Sequence, residues 1–192
     1  MQELKDRIVK EGKVLPGNII KVDGFLNHRI DTELMDHIAE EFGKHFNMDE
    51  VTMILTAEAS GIALSAIVAQ HFHKPMIFAK KAKSDNIEGG LYQSDIFSYT
   101  YKKKVTLLVS KEWLSADDKV LIIDDFMANG EAMRGLCDIV TAAGATLVGI
   151  GCAVEKGFQG GGDRLRAAGV NLKSLAIIES AEPGNIVFRD DV

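Results

Sequence analysis

The sequence predicts an α/β fold, a parallel-sheet core with flanking helices, because strand-length apolar runs alternate with helical segments. Four apolar runs have the length of buried strands: 51–56, 75–79, 119–123 and 147–154. Two segments with the apolar spacing of helices alternate with them: 62–72 and 130–143. The runs are almost uninterrupted, which is typical of strands covered on both faces. Helices between such strands favour parallel pairing and a sheet with helices on both sides.

The N-terminal part of the chain predicts smaller elements before the first of these strands. Residues 1–12 mix apolar residues with charges in the manner of a short amphipathic helix. Residues 13–30 contain Pro16 and two glycines among short apolar pieces, which indicates loops and short strands. Asp31 is placed as an N-cap, and apolar residues at a spacing of four then predict a helix to about His45.

Two later segments depart from the alternation of strands and helices. Residues 82–104 are polar and carry a Gly-Gly pair, which predicts a hairpin arm or a mobile lid between core elements. The tail, 157–192, predicts one short helix from Asp163 to Ala168 and strands that are too short for a separate domain. We therefore expect one domain over residues 1–192.

Charge and composition argue against several classes of function. The formal net charge of −6 disfavours a chain that coats nucleic acid or an anionic membrane surface. The N-terminus lacks an apolar signal region, and the longest apolar run, 147–154, is too short for a bilayer. Cys137 and Cys152 show neither the spacing of a redox motif nor a disulfide framework. We therefore expect reduced cysteines in a cytoplasmic protein.

The most informative stretch follows the predicted strand that ends at Ile123. Two acids, Asp124 and Asp125, come directly after it, and a loop of small residues then leads into a helix near Gly130. Ligands of open α/β sheets bind beyond the carboxyl ends of the strands, and a helix start suits a phosphate. The acids would repel that phosphate, so they suit ribose hydroxyls or a Mg²⁺ ion. The loop predicts a ligand with sugar and phosphate side by side.

This pattern resembles the signature of the type I phosphoribosyltransferase family: an apolar strand, two acids, two variable residues and a small Thr-Gly-type loop. The chain departs from it at Ala128-Asn129, where Thr is usual, so backbone N–H groups and Asn129 must replace the missing hydroxyl. That variant is similar to the one in bacterial xanthine phosphoribosyltransferases. The resemblance extends over most of the chain through three further motifs: Leu26-Asn27-His28, Glu58-Ala59-Ser60-Gly61, and Glu155-Lys156 with Phe158.

The resemblance implies the type I phosphoribosyltransferase fold, with a small hood over the base formed by about residues 1–30 and 157–192. It implies purine salvage, in which xanthine and 5-phosphoribosyl 1-pyrophosphate (PRPP) give xanthosine 5′-monophosphate and pyrophosphate. It also implies a homodimer and a Mg²⁺ ion that binds with PRPP, without a tightly bound organic cofactor. Neither nucleic acid nor membrane is expected as a partner.

The resemblance assigns the sugar-phosphate part of the substrate to two loops. The residues after the acids would bind the 5′-phosphate: Ala128, Asn129, Gly130, Glu131 and Ala132. Asp124 and Asp125 would hold the ribose hydroxyls and the metal. The earlier loop and one lysine would bind pyrophosphate: Glu58, Ala59, Ser60, Gly61 and Lys81. Two simpler explanations stay open, since Ser60 suits a helix cap and Lys81, with Lys80 and Lys83, suits a solvated charge run.

Five residues would select and stack the base: Ile20, Asn27, Lys156, Phe126 and Phe158. A lysine only donates, so Lys156 favours a 6-oxo group over the amino group of adenine. The Asn27 amide can donate to the 2-oxo group of xanthine or accept from the 2-amino group of guanine, and it could instead only stabilise a turn. Guanine and hypoxanthine therefore stay open as bases.

A protein of another class remains an alternative: a PRPP-sensing regulator that binds nucleic acid on the same fold. Such proteins usually carry an added DNA-binding element or a basic face. This sequence has neither a predicted helix-turn-helix appendage nor a positive net charge.

Overall fold

The computed structural model describes residues 1–82, 90–98 and 103–189. The α-helices of these residues are α1 (Gln2–Glu11), α2 (Thr32–Gly43), α3 (Ser60–His71), α4 (Glu131–Ala143) and α5 (Gly161–Ala167). The strands are β1 (Lys13–Leu15), β2 (Ile19–Lys21), β3 (Met53–Ala57), β4 (Met76–Ala79), β5 (Leu91–Ser98), β6 (Lys103–Ser110), β7 (Lys119–Met127), β8 (Thr146–Lys156), β9 (Leu172–Glu182) and β10 (Asn185–Phe188). A π-helical turn spans Asp23–Asn27 and a 3-10 turn spans Gly157–Gln159.

Six strands form the central sheet, in the order β10-β9-β8-β7-β3-β4. Its strand pairs are parallel except for β9 and β10, which are antiparallel. The chain runs from β3 outward to β4 and later from β7 outward to β8 and β9, so the strand order reverses between β3 and β7. Such a switch point opens a crevice at the carboxyl edge of the sheet. The predicted parallel-sheet core with flanking helices is confirmed.

Apolar side chains pack on both faces of the sheet. On one face α2 and α3 lie against the core together with α1 and the π-helical turn, and on the other face lie α4 and the hairpin of β5 and β6. Helix α2 begins as predicted, because the Asp31 side chain accepts a hydrogen bond from Leu34 N at 3.2 Å. None of the described helices is long and apolar enough to cross a membrane.

The two segments predicted to form a hood have different surroundings. The N-terminal segment forms α1, the antiparallel pair of β1 and β2, and the π-helical turn, whose Phe25 and Leu26 are buried in the core. The C-terminal segment contains α5, but its strand β9 is eleven residues long and belongs to the central sheet. Residues 174–178 of β9 are all buried, which explains why this strand lies inside the sheet and not over the cleft.

The segment predicted as a hairpin arm or lid forms a hairpin where it is described. Strands β5 and β6 pair antiparallel, from Leu91 opposite Ser110 to Ser98 opposite Lys103. The hairpin lies on α4 at Gly135, where a Cβ would stand 2.5 Å from Ile96 Cγ2. Residues 83–89 and 99–102, which include Lys83 and part of the predicted lid, are outside the described residues.

Candidate active site

A cleft of about 200 Å³ opens at the carboxyl ends of β3 and β7, at the switch point of the sheet. Ten of the site residues predicted from the sequence line it: Glu58, Ser60, Lys81, Asp124, Phe126, Ala128, Asn129, Gly130, Glu131 and Ala132. Ala59 lines a neighbouring cavity that also touches Glu58 and Lys81. The structure thus brings together the loops that follow two neighbouring strands, although about 70 residues separate them in the sequence.

Asp124 lies at the bottom of this cleft and is only 7% exposed. Gly61 makes room for it, because a Cβ there would overlap both Asp124 Oδ1 and Thr56 Oγ1. Burial and then the neighbouring Asp125 raise the pKa of the Asp124 carboxyl well above its usual range, and the Lys81 ammonium opposes this. The site therefore favours a ligand that offers hydroxyl donors or a cation to this carboxylate.

Asp125 does not line the cleft and is 1% exposed. Its Oδ2 atom accepts a hydrogen bond from Asn27 Nδ2 at 2.8 Å, which ties the π-helical turn of the N-terminal segment to the end of β7. Its Oδ1 atom is buried without a hydrogen-bond partner among the described residues. A buried carboxylate oxygen is costly to leave unpaired, so this atom is available for a further donor or a cation.

The loop of residues 128–132 bends at Gly130, which has φ +76° and is the N-cap of α4. A Cβ at Gly161 would overlap the carbonyl oxygen of Ala128, so the first residue of α5 packs directly on the loop. Arg164 Nη2 also donates to Asn129 O at 3.0 Å. The first N–H groups of a helix have no intrahelical acceptor, so the bend turns backbone donors of α4 toward the cleft. This geometry suits an anion.

The loop of residues 58–61 connects β3 to α3 beside Asp124. Glu58 N donates to Ala79 O at 3.0 Å, and Lys81 N donates to Glu58 Oε1 at 2.5 Å, so the loop is fixed to the end of β4. Ser60 is the first residue of α3, and the helix has no side-chain hydrogen bond at its N-cap. The structure therefore shows no helix cap by the Ser60 side chain. The N–H of Ile62 already donates to Ala59 O at 3.2 Å, so a ligand would use the N–H groups of Ser60 and Gly61.

The predicted base-binding residues do not all lie at the cleft. Lys156 and Phe126 are neighbours, with the Lys156 ammonium 5.4 Å from the centre of the Phe126 ring. The same ammonium donates to Asn18 O at 2.9 Å, and burial lowers the pKa of Lys156. Ile20 is buried in the core, and Phe158 is half-buried against the same core. The structure therefore brings Lys156 beside Phe126, which lines the cleft, whereas Ile20 and Phe158 do not line it and pack in or against the core.

Several residues of the cleft were not predicted. Ile96 and Phe97 reach it from β5, and Met127 and Met133 reach it from β7 and α4. An available signal was Gly135, because a glycine inside a helix marks close approach of another element. The positively charged residues of α5 were also missed, since their partners lie far away in the sequence.

The acid pair fits a magnesium ion that is shared with a substrate. Among the described residues no three His, Cys, Asp or Glu side chains converge on one point. Magnesium is usually held by one or two carboxylates together with phosphates of the substrate, and not by a cage of protein ligands. Asp124 and Asp125, with the unpartnered Oδ1 of Asp125, provide oxygen atoms of this kind.

The fold and the cleft define an α/β protein that binds its ligand at the carboxyl edge of the sheet, between an acid pair and two helix starts. The phosphoribosyl transferase domain matches residues 25–168, which is most of the chain. The chain belongs to the phosphoribosyltransferase family, and the family predicted from the sequence is confirmed.

Relatives and solved structures agree with this. The chain is 53% identical to a xanthine phosphoribosyltransferase of Lachnoclostridium phytofermentans, over 100% of both chains. It is also 53% identical to a xanthine phosphoribosyltransferase of Bifidobacterium longum, over 98% of this chain and 100% of that one. An adenine phosphoribosyltransferase of Giardia lamblia, complexed with 9-deazaadenine, has the same fold. It has a TM-score of 0.74 at 21% identity, covering 90% of this chain and 96% of that one.

Proposed function

We propose that this enzyme transfers the 5-phosphoribosyl group of PRPP to xanthine, giving xanthosine 5′-monophosphate and pyrophosphate in purine salvage. The single observation that carries the proposal is the cleft at the switch point. It combines the Asp124 carboxylate, two helix starts and the Phe126 ring, and Lys156 lies beside that ring. The choice of xanthine is supported by relatives of that name that are 53% identical over almost the whole chain.

The sugar-phosphate part of the substrate would lie across the two loops. Residues 128–132 would hold the 5′-phosphate with backbone N–H groups, because the bend at Gly130 turns the start of α4 into the cleft. Asp124 would accept hydrogen bonds from the ribose hydroxyls. Pyrophosphate would lie over residues 58–61 near the Lys81 ammonium, which also offsets the charge of Asp124.

The reaction needs no nucleophilic side chain. A ring nitrogen of xanthine bonds to C1′ while the bond from C1′ to the pyrophosphate oxygen breaks, and the proton of that nitrogen passes to solvent. The transition state carries positive charge on the ribose, as in other glycosyl transfers. The Asp124 carboxylate would lie near this charge, with Asp125 next to it in the chain, so positioning and electrostatic stabilisation would supply the rate enhancement. When bound with PRPP, Mg²⁺ would neutralise charge on the leaving pyrophosphate.

The base would lie between Phe126 and the N-terminal segment. Lys156 would donate to the 6-oxo group with one of its two remaining N–H groups, since the third already donates to Asn18 O. Asn27 gives one of its amide hydrogens to Asp125, which fixes the orientation of the amide. Its second N–H remains for the 2-oxo group of xanthine. Ile20 and Phe158 would act from below, by holding the hood segments against the core.

The remaining parts of the proposal rest on family resemblance. We propose that residues 1–192 form one domain with a hood over the base, that the lid covers the cleft during turnover, and that the enzyme is a cytoplasmic homodimer. Sedimentation of the purified protein at micromolar concentration tests the dimer, because a monomer of 20.9 kDa is readily distinguished from its pair.

The function is tested by pyrophosphate release with four bases. Purified protein with Mg²⁺ and PRPP is offered xanthine, guanine, hypoxanthine or adenine, and kcat/KM is measured for each. We expect xanthine to have the highest value and adenine to give the lowest. A higher value for guanine or hypoxanthine would keep the reaction class and correct the base. Absence of pyrophosphate release with every base, together with salt-sensitive binding of duplex DNA, would favour the regulator.

A further inference from the structure

Helix α5 lies between the 5′-phosphate loop and the strand end that carries Lys156, and it touches both. A Cβ at Gly161 would overlap backbone atoms of the loop at Ala128 and Asn129. A Cβ at the next residue, Gly162, would overlap the carboxylate of Glu155. Two adjacent glycines thus bring the start of α5 into direct contact with the 5′-phosphate loop and with the end of β8.

Two arginines of α5 extend these contacts. Arg164 Nη2 donates to the carbonyl oxygen of Asn129 at 3.0 Å. Arg166 donates to both oxygens of Glu155, from Nη1 at 3.1 Å and from Nη2 at 2.7 Å. Ser174 Oγ of β9 donates to the same carboxylate. One arginine therefore holds the phosphate loop, and the other holds the residue that precedes Lys156.

The Glu155 contact has the character of a fixed support. Glu155 is 0% exposed, and a buried carboxylate is stable only when it is paired and hydrogen-bonded. The planar guanidinium of Arg166 meets this requirement with two parallel hydrogen bonds, which also set the direction of the carboxylate. Because Glu155 and Lys156 are consecutive residues of β8, fixing the one limits where the other can point.

Helix α5 is itself anchored on its outer side. Asp163 accepts from Arg189 Nη1 at 2.7 Å, and Arg189 Nε donates to Glu179 Oε2 of β9 at 2.7 Å. These ion pairs are partly exposed and each contributes little alone. Together they connect α5 to the central sheet, so the helix is held from both sides.

We propose that Arg164 and Arg166 are positioning residues, and that α5 fixes the distance between the 5′-phosphate loop and Lys156. Sugar phosphate and base must meet within a few tenths of an ångström of the reactive geometry, so a support between their binding loops bears on the reaction. The inference rests on the proposed function, because it takes residues 128–132 as the phosphate loop and Lys156 as the base contact.

The test is a split of the two Michaelis constants. Arg164→Gln should raise the KM for PRPP about three- to fivefold and leave the KM for xanthine within about twofold, since one hydrogen bond to the phosphate loop is lost. Arg166→Lys keeps the charge but loses the two-point contact, and it should raise the KM for xanthine about five- to tenfold with little change for PRPP. A merely structural role would move both constants together.

Lys44→Gln is the matched control for Arg164→Gln, because it also removes one positive charge, and it breaks the surface ion pair with Glu41 at the end of α2. It should leave both constants unchanged. Equal shifts of both constants in each arginine variant, or no shift in an enzyme that is active in its natural form, would overturn the proposal.

A second measurement separates this inference from the proposed function. Amide hydrogen exchange of the protein without substrate reports the order of each loop directly. Arg164→Gln should speed exchange at residues 128–132, and Arg166→Lys at residues 155–157, whether or not the protein turns over xanthine. Pyrophosphate release by the natural enzyme tests the function alone. Unchanged exchange at both loops would refute the positioning role.

Discussion

The sugar-phosphate half and the base half of the cleft are built in different ways. The first half consists of continuous loops at the ends of β3 and β7, and the chain passes close to itself there, at Gly61 beneath Asp124. The second half is assembled from distant segments joined by single hydrogen bonds. Asn27 and Asp125 are 98 positions apart, and Asn18 and Lys156 are 138 positions apart.

This difference separates two kinds of constraint. In the sugar-phosphate half, the packing at Gly61 leaves no room for even one added carbon, so a small change there should disturb the whole reaction. In the base half, a lost hydrogen bond leaves the neighbouring backbone in place and should change mainly which base is used. Substitutions in the two halves therefore test whether the division is real.

The largest effect is expected from Gly61→Ala. The new methyl group would overlap Asp124 Oδ1 and Thr56 Oγ1, so the carboxylate at the bottom of the cleft must move. Overpacking of this kind costs about 1–3 kcal/mol of folding free energy, and a misplaced catalytic group costs about 100-fold in rate. We expect kcat to fall about 100-fold with xanthine and equally with hypoxanthine, and the thermal midpoint to fall.

Gly24→Ala is the matched control for stability. Gly24 has no atom within 4 Å of the position of a Cβ, so its thermal midpoint should stay near that of the natural protein. If Gly61→Ala retained full activity, Asp124 could not be the rigidly placed group that the comparison requires.

The next effect is expected from Lys156→Ala, in the base half. Loss of a hydrogen bond from a charged donor costs about 1.5–3 kcal/mol, or about 10- to 100-fold in kcat/KM for xanthine. The KM for PRPP should change by less than about twofold, because Lys156 lies beside Phe126 and forms no described hydrogen bond with residues 128–132. Equally weakened binding of xanthine and PRPP would mean that Lys156 supports the structure of the whole cleft and is not a specific base contact.

The sequence predicted the first half of the cleft much better than the second. The two acids, the small-residue loop and the start of α4 are contiguous, so a local pattern was sufficient for residues 124–132. The strands and helices of the core followed from apolar periodicity in the same way. The long strand β9 was assigned to the hood because the sequence does not state which element a buried strand will pair with.

Contacts between distant segments were beyond the sequence patterns. The pairing of Arg166 with Glu155 depends on how α5 folds back over β8. The sequence around neither residue predicts it. The hydrogen bond between Asn27 and Asp125 likewise joins two motifs that were identified separately. Both contacts depend on the tertiary packing of segments that are far apart in the sequence.

A smaller effect is expected from Asn27→Ala. The variant loses the donor for the 2-oxo group and leaves a buried oxygen of Asp125 without its partner. We expect about a five- to tenfold loss of kcat/KM for xanthine. Hypoxanthine has no substituent at this position. Its kcat/KM should therefore fall less, and only because Asp125 has lost its partner. Rates with the two bases in parallel measure the difference. Equal losses would assign Asn27 to support of Asp125 alone.

The smallest effect concerns the outer side of the hood, where His37 on α2 lies 3.0 Å from the Glu3 carboxylate on α1. The hydrogen bond to Glu3 and its charge raise the pKa of His37 above its model-peptide value of 6.5. The pair therefore stabilises the fold fully below pH 6.5, and this contribution disappears as the pH rises through the raised pKa. Because both side chains are exposed, the thermal midpoint should change by at most about 2 °C.

The difference in midpoint between the natural protein and His37→Gln isolates this contribution from other titrating groups. We expect the natural protein to be the more stable at pH 6 and the two midpoints to converge as the pH rises through the raised pKa of His37, since the neutral imidazole loses its attraction to Glu3. Activity with xanthine should be equal in the two proteins throughout, because neither His37 nor Glu3 lines the cleft. A pH-dependent difference in activity would mean that the ion pair between His37 and Glu3 influences binding of the base. The two halves of the cleft would then depend on each other more than their contacts indicate.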